Sequence, residues 1–204
     1  MVEVKIDRRV QKTRLSLENA LIVLILEKGY DAVKVQDLLD RANIGRSTFY
    51  AHYQDKEALL MSRFESLQKA FEEHFQMVVA LGETKNEEGK LPVNLPLFML
   101  RYVENEHQLF KALLGKRSSG RHVSLIENFL LKYTRDVVKT YARAPLSRQQ
   151  LEIVVHYLTS AFISLLIWWV DSDMPCSAEE LYTIQMRLIE PGLKDVLEVT
   201  SLWS

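Results

Sequence analysis

Between Val35 and Leu60 the chain carries two short helical patterns separated by a tight turn, an arrangement that restricts the fold more than any bulk property does. In the first, residues 35–41, Val35, Leu38, Leu39 and Ala42 share one side. Asn43 follows, the non-glycine residue type that best tolerates positive φ. The second pattern, from about Arg46 to His52, opens on small and polar residues and sets Phe49 one step around to pack against the helices before it.

Helical spacing continues on both sides. Residues 13–28 repeat Leu17, Ala20, Leu21, Leu24 and Ile25, with Gly29 where a helix end needs a left-handed residue. Asp55 is the expected N-cap of a fourth helix reaching about Leu81, and the Glu, Lys, Asn and Gly of residues 82–90 read as a surface loop. Further helices are expected over residues 95–102, from an Asn105 cap with Gln108 to near Gly115, and over 123–141 after a loop at 115–120. Ser147 with Gln150 opens residues 151–170, and Ser177 with Glu180 opens a last helix that Pro191-Gly192 should kink or end. No strand or repeat is evident, so the expected class is all-α.

A chain of 204 residues, with 48% hydrophobic and 26% charged residues, can bury a substantial core without covalent staples. Its single cysteine, Cys176, excludes an internal disulfide framework and fits a reducing cytoplasm, and no secretory signal is visible. Residues 151–170 are long enough to span a bilayer, but Glu152, His156, Thr159 and Ser160 interrupt them, and a buried helix is the expectation. A net charge of −1 would argue against a polyanionic partner if it were evenly spread. It is not: Lys5, Arg8, Arg9, Lys12 and Arg14 face only Glu3 and Asp7, which marks residues 1–12 as a basic arm.

A helix that enters the DNA major groove must be short, polar at its exposed start and held from behind. The segment from Arg46 meets these conditions. Arg46 can bridge phosphates or pair with guanine; Ser47 and Thr48 can bond bases or backbone; Tyr50 and His52 can reach phosphate oxygens. Lys56 can add its charge to the anion-binding start of the next helix.

These residues resemble a known family. Gly29-Tyr30, Ala42-Asn43-Ile44, Thr48-Phe49-Tyr50-Ala51-His52-Tyr53 and Asp55-Lys56-Glu57-Ala58-Leu59-Leu60 are similar to the DNA-binding domain of the tetracycline-repressor (TetR) family of bacterial regulators. The resemblance covers about a quarter of the chain. It implies a three-helix reading domain over residues 13–60 and a larger helical regulatory and dimerisation domain over 61–204. Three departures stand out: Lys34 for a threonine near a phosphate, Leu39 for a small alanine at the helix crossing, and Gly45 for a serine or threonine N-cap. Lys34 and Gly45 join the expected DNA-binding set.

The resemblance further implies a homodimer on a palindromic operator in double-stranded DNA, released by a small-molecule effector. Residues 151–170 offer two apolar stripes, one of Leu151, Val155, Leu158, Phe162, Leu165 and Trp169, the other of Ile153, Ile163, Ile167 and Val170. One can face its own core and the other a partner, together with the helix near 178–190. Tyr102, Phe129, Tyr133, His156 and Phe162 are the candidate effector-binding residues. No catalytic, cofactor or metal motif is read: the five histidines, His52, His74, His107, His122 and His156, have no ligand spacing, and Cys176 has no partner. Two alternatives stay open, a DNA-binding regulator without small-molecule effector and a helical ligand carrier or enzyme.

Overall fold

The computed structural model describes residues 8–82, 95–116, 118, 120–142 and 146–197, and all regular structure among them is helical. The helices are α1 (Arg8–Lys28), α2 (Val35–Ala42), α3 (Arg46–His52), α4 (Lys56–Gly82), α5 (Leu95–Asn105), α6 (His107–Leu114), α7 (Gly120–Tyr141), α8 (Arg148–Asp171) and α9 (Ala178–Leu197). The expected all-α class holds, with α1 to α3 at the N-terminus and a larger helical region after them.

Local chemistry sets most boundaries. Gly29 takes φ 81° and its N–H returns to Ile25 O at 2.8 Å, ending α1. Asn43 takes φ 52° after α2. The Asp55 carboxylate accepts from Ala58 N at 2.7 Å at the start of α4. Ser147 and Gln150 cap α8 reciprocally, at 2.9 and 3.2 Å, and Ser177 and Glu180 do the same for α9, at 3.0 and 3.2 Å.

Three expected helix boundaries need correction. Helix α1 begins at Arg8, so Arg8, Arg9 and Lys12 of the expected arm belong to its opening turns, while residues 1–7 lie outside the described residues. Asn105 does not cap α6; it closes α5, and Glu106 stands at the N-cap with its carboxylate turned to Arg63 at 2.8 Å. Helix α7 starts at Gly120, before Val123. Pro191-Gly192 does not end α9, which continues to Leu197. The expected loop after Gly82 falls outside the described residues.

Helix α1 packs on α2, α4 and α6; α8 packs on α7 and α6; α9 packs on α5. One apolar cluster runs through these contacts, from Leu17, Leu38 and Phe49 through Phe64, Leu100 and Ile126 to Trp169 and Leu181. Each fully buried large side chain contributes roughly 1.5–3 kcal/mol, so a cluster of this size holds α1 to α3 to the rest.

Helix α8 is long and apolar enough to cross a membrane, yet its burial is one-sided. Val154, Val155, Thr159, Ile163, Leu166, Trp169 and Val170 are buried, and the Trp169 indole donates to Cys176 O at 2.8 Å. Arg135 of α7 clamps Glu152 through two hydrogen bonds, at 3.2 and 2.8 Å. The opposite face, Ile153, Tyr157, Ser160, Ser164 and Trp168, is exposed. The expected stripes are corrected accordingly. Leu151 to Trp169 faces inward, whereas Ile163 and Val170 of the other stripe are buried and only Ile153 is exposed. Ten residues are not a whole number of turns, and Ile163 sits about 80° around the helix from Ile153.

Candidate nucleic-acid interface

Helix α3 is seven residues long and stands on Phe49, which is 0% exposed. The Phe49 ring meets Tyr50 edge to face at 5.3 Å and Tyr53 at 6.1 Å, and Tyr53 is itself buried. With its apolar anchor sunk in the core, α3 turns Arg46, Ser47, Thr48 and Tyr50 to solvent together, Tyr50 being 52% exposed. His52 is half-buried against Tyr53, at the far end of this face.

Gly45 is the N-cap of α3 in extended backbone, φ −68° and ψ 149°, and supplies no side-chain cap. Lys34, exposed, is the N-cap of α2. Its backbone N–H donates to Asp37 Oδ2 at 2.7 Å, and Lys28 pairs with the same oxygen at 2.6 Å. The Lys28 hydrogen bond, with that from Lys34 N, holds the Asp37 carboxyl below the usual carboxylate range.

Lys56 has a different setting from the other seven. Its ammonium donates to the carbonyls of Tyr30 at 2.8 Å, Val33 at 2.9 Å and Asp31 at 3.4 Å, and lies 4.3 Å from the Tyr30 ring centroid. An ammonium has three donors, and here they cap the turn between α1 and α2. Lys56 thereby secures the base of the reading head, and its charge remains near the surface.

Lys34 and Gly45, the N-caps of α2 and α3, and Arg46, Ser47, Thr48 and Tyr50 of α3 are all exposed, with mainly polar or basic side chains. Two family descriptions match the chain: "Bacterial regulatory proteins, tetR family" over residues 19–62, and "Transcriptional regulator C-terminal region", of the TetR type, over residues 96–191. The chain belongs to the TetR family of transcriptional regulators.

It is similar to YxbF, an uncharacterized HTH-type transcriptional regulator of Bacillus subtilis, at 26% identity over 83% of the chain; the match spans 42% of that protein's length. It is 23% identical to the transposon Tn10 TetC protein of Escherichia coli over 63% of the chain and 74% of that protein. Among solved structures, a TetR transcriptional regulator from Streptococcus agalactiae superposes with TM-score 0.57 at 25% identity, covering 90% of this chain and 96% of that one.

In this TetR-family chain the candidate effector residues divide. Tyr102, Phe129 and Tyr133 meet in an aromatic cluster: Phe71 lies 5.4 Å from Tyr102 and 5.8 Å from Phe129, and Phe129 stacks on Tyr133 at 6.2 Å. Burial pushes the Tyr102 phenol above its ordinary pKa. Phe162 packs against the same apolar cluster. His156 does not join them. It points outward from α8 at 62% exposure, beside Glu152, because it occupies the helix face next to Ile153 and Tyr157.

Three residues escaped the sequence reading. Gln36 of α2 accepts a hydrogen bond from Arg46. Arg63 of α4 reaches Glu18 of α1 at 3.5 Å and Glu106 at 2.8 Å. His122 of α7 is buried against Tyr30 and near Glu57 of the reading head. Gln36 carried a faint signal, a polar residue one turn before Asp40 on the outward side of α2; the other two depend on helices distant in sequence.

Proposed function

We propose that the chain is a homodimeric repressor that reads a palindromic operator in double-stranded DNA, with one α3 in each of two successive major grooves. The observation that carries this reading is the exposed polar face of α3 seated on the fully buried Phe49. Lys34, Gly45, Arg46, Ser47, Thr48, Tyr50 and His52 supply the contacts to bases and phosphates, and Lys56 braces the turn behind them. Such a regulator works beside the chromosome, in the bacterial cytoplasm.

The exposed apolar stripe supports pairing through α8 and α9. Ile153 of α8 is 61% exposed and Leu188 of α9 70%, and Tyr157 and Trp168 of α8 and Ile184 of α9 are exposed as well. Large apolar groups left exposed on each of the two helices favour a self-complementary contact. Selection of bound duplexes from random DNA tests the operator: a two-fold symmetric site is expected, and an asymmetric one overturns dimeric reading. Ile153→Glu with Leu188→Glu is expected to give monomers in sedimentation and to weaken operator binding; an unchanged dimer overturns the assignment of the interface.

Release by a small molecule follows if an effector held beside α4, near Tyr102, Phe129, Tyr133 and Phe162, prefers a conformation with wrongly spaced reading heads. Only unequal affinity for the two states couples the sites. Operator affinity measured with and without bound aromatic or apolar ligands tests it, and no change with any ligand that binds sinks induction. A second reading, regulation without small-molecule effector, draws on the mutual packing of the same rings around Phe71.

A further inference from the structure

Arg46 leads the exposed face of α3, and its guanidinium is hydrogen-bonded to a neighbouring helix. It donates from Nη2 to Gln36 Oε1 at 3.1 Å, and Gln36 in turn donates from Nε2 to Asp40 Oδ1 at 2.8 Å. All three side chains are exposed. An ionised carboxylate only accepts and a guanidinium only donates, so this chain admits one orientation of the amide, nitrogen to Asp40 and oxygen to Arg46.

The relay hangs on a rigid support. Gln36 and Asp40 are four residues apart on α2, one above the other, so each can brace the other without bending the backbone. From there the amide crosses an open cleft of about 510 Å³ between α2 and α3, lined by Gln36, Leu39, Asp40, Asn43, Ile44, Gly45 and Arg46. An exposed acidic group on a surface that approaches phosphates is electrostatically unfavourable for binding. Holding Gln36 gives Asp40 a compensating role.

We infer that Gln36, backed by Asp40, is a positioning residue that aims the Arg46 guanidinium at a guanine in each operator half-site. The inference rests on the reading of α3 as the groove-entering helix. With one Nη2 hydrogen committed to Gln36, Arg46 keeps its other N–H donors in one plane. Guanine presents N7 and O6 side by side as acceptors in the major groove, whereas adenine places an amino donor beside its N7. A fork held at a fixed angle matches the first and not the second. A loose arginine would spend rotamer freedom on docking and meet the base edge at no fixed angle.

Selection from random duplex DNA, read position by position and repeated at several salt concentrations, tests this with the full chain. The wild type is expected to prefer guanine at one pair per half-site, and Arg46→Ala to lose that preference. Gln36→Met keeps side-chain length without the amide; it should lower the guanine preference at the same pair about tenfold, leaving the salt slope unchanged. Asp40→Ala should act at that pair in the same direction. Gln36→Glu keeps an acceptor for Arg46 but has no donor for Asp40, so it should lower the preference at that pair as Asp40→Ala does, while its added charge weakens binding to every sequence. The double variant Arg46→Ala with Gln36→Met should show no further loss at that pair. A changed preference at a different pair in Gln36→Met means that Gln36 reads a base itself, and uniform weakening with preferences intact means that no relay operates; either overturns the inference. If the wild type enriches no sequence, the reading of α3 fails with it, a result distinct from both.

Discussion

The rings of His122 and Tyr30 meet edge to face, with centroids 4.4 Å apart and planes at 89°, and so join the first turn of α7 to the turn between α1 and α2. The Tyr30 hydroxyl donates to Glu57 Oε2, and that oxygen lies 3.9 Å from His122 Nε2. His122 is 2% exposed, and neither ring nitrogen has a hydrogen-bond partner among the described residues. The helix-turn-helix region and the later helices thus share a buried junction that contains an ionisable ring.

Burial pushes the His122 imidazole below its ordinary value of 6.5, against the pull of the Glu57 and Asp31 carboxylates and with the push of Arg121 and Lys56. The unfolded chain therefore takes up this proton first. The contribution to stability is intact above about pH 6.5 and is lost as pH falls from there through the lower folded value. His122→Leu is expected to flatten that loss. Melting curves of both proteins between about pH 5 and 8 check it, and parallel curves would count against a buried neutral ring.

Arg63 holds Glu18 and Glu106 together, and burial raises the Glu18 carboxyl above its usual range, with Arg63 and Arg14 drawing it back. Arg63→Ala should cost about 1–3 kcal/mol, since it leaves a carboxylate with reduced solvation and without its closest cation. Adding Glu18→Gln should recover part of the loss. Chemical denaturation of the single and double variants measures both effects; full additivity would show that the two side chains are not coupled.

Phe49 and Arg46 lie three residues apart on one short helix but should fail in different ways. Phe49→Ala empties a fully buried site and is expected to lower stability by about 3–5 kcal/mol, taking operator binding with it. Arg46→Ala removes an exposed group and should leave the melting temperature within about a degree or two while operator affinity falls. Comparing melting and binding for the two separates folding from contact.

At Gly45 an added Cβ would meet only Thr48 Oγ1, at 4.0 Å, and φ is −68°, so glycine is not sterically required. Gly45→Ser should stabilise α3 by a few tenths of a kcal/mol through a side-chain cap, and tighten operator binding by one added hydroxyl contact. Calorimetry and binding titration test the two halves. A lower melting temperature would mean that the cap geometry is not accessible to serine.

Features written over a few residues are legible in the amino-acid order. Gly29, Asn43, Asp55 and the pairs Ser147–Gln150 and Ser177–Glu180 act through their own backbone neighbourhood, and each ends or begins its helix where spacing indicates. Asn105 misleads because Glu106, rather than a capping side chain, takes the N-cap while Arg63 engages its carboxylate. His156 misleads because apolar spacing does not give the rotation of a helix about its axis; packing on α7 and α6 sets that rotation and turns His156 out. Lys56 is legible as a residue of the reading head, but its three carbonyl partners become neighbours only when α4 folds back on the α1–α2 turn.

The amino-acid order by itself determined the all-helical class, the two short helices with a tight turn between them, and the run from Gly29 to Leu60 that marks the family, because hydrophobic period and end-capping are local. Tertiary structure decided which side of each helix meets solvent and which distant groups meet each other. The outward stripe of Ile153, Tyr157 and Trp168, the Arg46–Gln36–Asp40 relay and the His122–Tyr30 junction all arise from the angle and rotation at which helices pack. Those are set by the summed fit of many side chains, a property no short stretch of sequence contains.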